Sequence, residues 1–136
     1  MTTRVAPADR PILSLAERDR RWRGLRSLMA GRGLDAIIVG SFQGRERLES
    51  YLIDDFLDSV VVLPIKDAPV LLAFSTSRMS RIFASESRGG APWVTDMRIG
   101  GGGVKIAEML TEKGFDRGRI GIVGLGPTAP GEAEGL

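Results

Sequence analysis

The sequence contains no cysteine and no histidine. Without cysteine there are no disulfides, no thiolate metal ligands and no cysteine nucleophile. Without histidine, the commonest metal ligand and the commonest general acid or base near neutral pH are both missing. A Ser-His-Asp triad is therefore excluded, although Ser41, Ser75 and Ser77 supply hydroxyls. Long apolar runs are also lacking, and the longest falls far short of the ~20 residues a membrane helix needs. Lysine is scarce: Lys66, Lys105 and Lys113 are the only ones among 19 basic residues, and the rest are arginine. The net charge is only +2, which gives weak support for an acidic partner. Met1 to Asp9 carries one arginine with no apolar segment behind it. A secretory signal is not expected, and the expected compartment is the cytoplasm.

What is present suits one globular domain. The chain has 136 residues, 43% hydrophobic and 26% charged, enough for a real core. Residues 1–13 hold Pro7 and Pro11 without periodicity and read as an extended arm. Ser14-Leu15-Ala16-Glu17 matches a capping box, in which the Ser14 hydroxyl accepts from the Glu17 amide and Glu17 reaches back. Leu15, Trp22, Leu25 and Met29 follow at helical spacing, and Gly31 and Gly33 supply a stop, so a helix is expected over 14–30.

Strands are expected at 36–39, 60–63, 70–74, 93–95 and 120–123, where short apolar runs are bounded by turn residues. Lys66-Asp67-Ala68-Pro69 is short enough to join the second and third as an antiparallel hairpin. Pro64 and Pro69, lacking donor N–H groups, belong at its end. Further helices are expected over 44–52, 77–88 and 104–113, the last stopped by Gly114. The order predicts an α/β fold: a mixed β-sheet of about five strands with helices on its faces. Residues 125–136, rich in Gly, Pro and Ala, read as an irregular tail.

Several clusters invite functional readings. Arg18, Arg20, Arg21, Arg23 and Arg26 resemble a nucleic-acid patch. However, Glu17 with Arg21 and Asp19 with Arg23 stand at i,i+4 and pair locally, and no second basic cluster with aromatics supports base stacking. A solvated helix face is the favoured reading, so no nucleic-acid partner is expected, and no membrane partner either. Gly100 to Gly103, with Lys105 close by, stands before a helix and offers a phosphate cradle. Its spacing is not that of a P-loop, so a connector is favoured over a phosphate- or nucleotide-binding site. Gly124-Leu125-Gly126-Pro127-Thr128-Ala129 fits G-x-G-x-x-A formally, but Pro130 breaks the helix that must follow. Glu46, Glu49, Asp54, Asp55 and Asp58 form an acidic neighbourhood. Adjacent Asp54 and Asp55 point apart in any regular structure, so a polar loop is favoured over a metal site. Trp22 and Trp93 are expected as core or interface anchors.

Taken in order, several segments resemble the creatinase/prolidase N-terminal domain, which precedes the catalytic domain of Xaa-Pro peptidases. They are Glu17-Arg18, Leu25-Arg26, Met29, Gly33-Leu34-Asp35-Ala36-Ile37-Ile38-Val39, Leu63-Pro64, Trp93 with Asp96 and Arg98, and Gly114 with Arg119-Ile120-Gly121-Ile122-Val123-Gly124. The resemblance runs from Ser14 to Gly124. One departure stands out. Where the family commonly has Asn three residues before Tyr-Leu-Thr-Gly, this chain has Leu48 before Tyr51-Leu52, then Ile53-Asp54.

The resemblance implies a ribonuclease-H-like fold over 14–124 and a non-catalytic role in dimerisation and in substrate access to a neighbouring active site. It implies a homodimer and a C-terminal catalytic domain beyond residues 125–136. Two divalent metals are implied for that domain, and no cofactor for this chain. Candidate substrate-facing residues follow the first strand: Gln43, Arg45 and Tyr51, with Arg45 suited to a peptide carboxylate. The other readings kept open are a stand-alone binding or oligomerisation module and a phosphate-binding domain.

Overall fold

Alternation decides the core. In Val60-Val61-Val62-Leu63 and Val70-Leu71-Leu72-Ala73, successive side chains point to opposite faces of a sheet, so an unbroken apolar run must be covered on both sides. The computed structural model of the chain describes residues 13–40, 48–54, 59–73, 92–100 and 102–123. Its elements are α1 (Leu15–Gly31), β1 (Ala36–Gly40), α2 (Ser50–Ile53), β2 (Ser59–Pro64), β3 (Val70–Ala73), β4 (Asp96–Ile99), α3 (Gly103–Glu112) and β5 (Ile120–Val123). The strands form one mixed sheet in the order β4-β3-β2-β1-β5. β1 pairs antiparallel with β2, and β2 antiparallel with β3; β4 is parallel to β3, and β5 parallel to β1. Four strands thus run one way and β2 runs against them.

Each face has its own apolar layer. On the first, Ile37, Val39, Val61, Leu63, Leu71 and Ala73 pack with Trp22 and Met29 of α1, Leu52 and Ile53 of α2, and Trp93 and Val94. On the second, Ala36, Ile38, Val60, Val62, Val70 and Leu72 pack against Met109, with Ile106, Leu110 and Ile120 at the margin. The α3 helix therefore connects the two outermost strands across the second face. Each large apolar side chain in these layers contributes roughly 1.5–3 kcal/mol.

Both long helices end the same way. Gly33 (φ 67°) and Gly114 (φ 81°) take the left-handed conformation just past the helix. Gly33 N–H then donates to Ala30 O and Leu34 N–H to Met29 O; Gly114 N–H donates to Thr111 O and Phe115 N–H to Leu110 O. These paired bonds satisfy carbonyls that the helix leaves open, and glycine adopts the required φ without a Cβ penalty.

The structure departs from the sequence reading at identifiable points. The fourth strand is not 93–95 but Asp96–Ile99. Trp93 and Val94 are instead buried beside the first face, ahead of the strand. Of the helix expected over 44–52, the described part is Ser50–Ile53. The helix expected over 77–88 and the tail 125–136 lie outside the described residues. The hairpin, α1, α3, β1 and β5 stand where expected, within one or two residues at their ends.

Candidate functional site

The carboxyl ends of β1, β3, β4 and β5 gather at one end of the sheet, where open α/β sheets place their ligands. Of the three candidate residues, Gln43 and Arg45 lie outside the described residues. Tyr51 is described: it sits on α2 and is 44% exposed. Its ring is not simply presented to solvent. The Arg21 guanidinium lies 4.5 Å from the Tyr51 centroid and 5.3 Å from that of Trp93, so it bridges the two rings. Arg18 stacks on Trp22 at 4.8 Å. Such stacks contribute about 0.5–1 kcal/mol each where exposed.

Arg18, Arg21 and Arg26 of α1 reach across to other parts of the fold. Arg18 donates to the Trp93 carbonyl at 3.4 Å, and Arg21 to that of Tyr51 at 3.0 Å. Arg26 donates to the Pro64 carbonyl at 3.0 Å and also to that of Asp67, gripping the β2–β3 hairpin. Glu17 pairs with Arg20 at 2.7 Å and with Arg21 at 2.9 Å. The Arg20 hydrogen bond, then that of Arg21, holds the Glu17 carboxyl down at about 2. Two details differ from the sequence reading. The Ser14 oxygen does accept from Glu17 N–H at 3.2 Å, but the Glu17 side chain turns to the arginines instead of back to Ser14 because two guanidiniums outbid one amide. Asp19 pairs with Arg18 at 2.8 Å, not with Arg23.

The acidic neighbourhood separates into individual roles. Glu49 is fully buried; with Leu52 and Ile53 it has i, i+3, i+4 spacing, which puts all three on the inner side of the α2 turn. That spacing was the available signal, and the sequence reading missed it. Asp54 takes φ 51° at the end of α2 and accepts from Leu13 N–H at 3.1 Å. This is the position where the family resemblance calls for glycine. Aspartate is one of the few other residues that enter this conformation, at roughly 1–2 kcal/mol. Asp55, Asp58 and Glu46 lie outside the described residues. Among the described residues, no three acidic groups converge on a metal position.

At the glycine-rich turn, α3 starts at Gly103 behind Gly102, with no side-chain cap. Lys105 folds over Gly100, and its amine lies 3.6 Å from Glu108. The G-x-G-x-x-A segment lies outside the described residues. Among the described residues, no helix is long and apolar enough to cross a membrane.

At the opposite end, two segments of the family-like pattern meet. The Arg119 amide donates to Asp35 Oδ2 at 2.8 Å, and the Asp35 amide to Arg119 O at 2.8 Å. A Cβ on Gly121 would lie 2.9 Å from Leu34 Cδ1 and 3.2 Å from Ile37 Cγ2. Gly121 therefore makes room for Leu34 where β5 joins β1.

No protein-family model matches the chain, and no curated protein matches it. Solved structures do. An Xaa-Pro aminopeptidase from Streptococcus pyogenes superposes with a TM-score of 0.51 at 18% identity, covering 80% of this chain and 75% of that one. An Xaa-Pro dipeptidase from Bacillus anthracis superposes with a TM-score of 0.56 at 16% identity, covering 82% of this chain and 28% of that one. The chain thus spans little more than a quarter of the dipeptidase. The likeness establishes a shared α/β fold.

Proposed function

We propose that the chain is the non-catalytic N-terminal domain of an Xaa-Pro metallopeptidase-like protein, serving dimerisation and substrate access. The observation that carries this reading is the fold shared with a dipeptidase over only 28% of that enzyme's length. The composition supports it, because a chain without histidine or cysteine leaves metal-dependent hydrolysis to another domain. On this reading residues 14–124 are the domain, 1–13 an arm and 125–136 the lead into a catalytic domain that holds two divalent metals. β1 ends where strand carboxyl ends gather, and residues 41–54 come next in the chain. On this reading Gln43, Arg45 and Tyr51, the last steadied by Arg21, border the substrate path. Arg45 pairs with a peptide carboxylate.

The stand-alone binding module is the second reading, favoured by the aminopeptidase chain, three quarters of whose length is covered. Reading the coding sequence beyond codon 136 separates the two. An in-frame domain with spaced Asp, Asp, His, Glu and Glu supports the first, and an immediate stop supports the second. The purified 136-residue chain, supplied with manganese and an Xaa-Pro dipeptide, is expected to release no proline. Hydrolysis by this chain alone overturns the first reading.

A further inference from the structure

Among the described residues, β4 and β5 are the two outer strands of the sheet, and they run in the same direction. A second copy of the chain can therefore lay its β5 beside β4 in parallel and continue the sheet without turning it over. Such head-to-tail addition does not close on itself and grows without limit. The register pattern shows what would meet. On the first face, Met97 and Ile99 would lie beside the second copy's Gly121 and Val123; Ile99 is 49% and Val123 39% exposed, and both would gain cover.

On the second face the edges do not match. There β4 carries Asp96 and Arg98, and β5 carries Ile120 and Ile122, the latter 54% exposed. Arg98 forms a fork with Asp96 at 3.1 and 3.2 Å and a second with Glu112 of α3 at 2.6 and 3.0 Å. Lys113 lies 3.6 Å from Asp96. All four side chains keep partial contact with solvent. An incoming isoleucine row would strip that water and return no polar partner.

We infer that the Asp96–Arg98–Glu112–Lys113 network guards the β4 edge against a second copy of this chain, whose apolar β5 would otherwise extend the sheet. Charge turned inward on an edge strand is a known means of keeping sheets from joining. The inference is independent of the peptidase reading, since it concerns the sheet edges alone.

Sedimentation of the 136-residue chain over a range of concentrations tests it. The wild type is expected to stay at one small closed size. Asp96→Thr/Arg98→Val is expected to grow severalfold in weight-average mass as concentration rises, with native far-UV circular dichroism. Adding Ile122→Lys to that variant is expected to return it to the wild-type size. Glu112→Gln, which leaves both β4 charges in place, is expected to stay small. If the double variant loses its native spectrum, Arg98→Thr alone is measured the same way and is expected to grow with concentration. A folded variant that stays as small as the wild type sinks the inference, as does growth that Ile122→Lys fails to stop.

Discussion

Single residues hold the two ends of this sheet through close contact more than through charge. Gly121 is one case. Leu34 and Ile37 occupy the space its side chain would need, so Gly121→Ala must turn the end of the half-buried Leu34 side chain aside and press on Ile37. Overpacking of this kind costs about 1 kcal/mol, the lower end for a core; a small fall in the urea midpoint with an unchanged slope is the expected reading. Trp22 is another. Its indole Nε1 donates to the Leu52 carbonyl at 3.0 Å inside the core, tying α1 to α2. Trp22→Phe keeps most of the apolar surface but removes that donor. Leaving a buried carbonyl short of a partner costs about 1–3 kcal/mol, again measured by urea unfolding. Tyr51 shows how a residue that reads as a substrate contact is also a packing element, since Arg21 spans from its ring to Trp93.

Ion pairs within α1 and between β4 and the end of α3 make stability depend on acid. Hydrogen bonds from arginine depress the carboxyls of Glu17, Asp96 and Glu112: Arg20 acts first on Glu17, and Arg98 on the other two. Each carboxyl binds its proton less readily in the folded chain than in the unfolded one. The stabilisation is therefore complete above the unfolded values, near pH 4 to 4.5, and is lost as pH falls through the folded ones, that of Glu17 being about 2. Wild-type urea midpoints should drop over that acid range. Arg98→Gln should make the drop shallower by reducing the Asp96 and Glu112 contributions, which Lys113 then supports alone, while leaving that of Glu17. All three groups face solvent, so high salt should also weaken the dependence.

The molecule as a whole is one sheet with an apolar layer on each side. Both tryptophans report the first layer, and α3 covers the second. The strands pass their side chains alternately to the two layers, so neither layer can melt without exposing the other. Unfolding is expected to be a single transition in which tryptophan fluorescence and far-UV ellipticity coincide. Separate midpoints would show that the α3 side opens by itself.

Local pattern alone determined most of the architecture. The capping Ser14, the glycine stops at Gly33 and Gly114, and the apolar runs of β1, β2, β3 and β5 are short-range signals, and the α/β class follows from their order. The lack of imidazole and thiol likewise restricts the chemistry without any coordinates. Tertiary structure decided the rest. Trp93 and Val94 look like a strand, yet Asp96–Ile99 pairs with β3, because apolar burial beside the sheet suits Trp93 better than a place in the ladder. Asp19 stands at the right spacing for Arg23, but Arg18 takes it, and Glu17 serves two arginines instead of its own helix cap. Such choices among partners at similar sequence distance depend on which side of α1 meets the sheet. The same holds for the meeting of Asp35 with Arg119 and of Leu34 with Gly121, which lie more than eighty positions apart. No periodicity encodes those contacts; they exist because parallel pairing of β5 with β1 brings the two ends of the fold together.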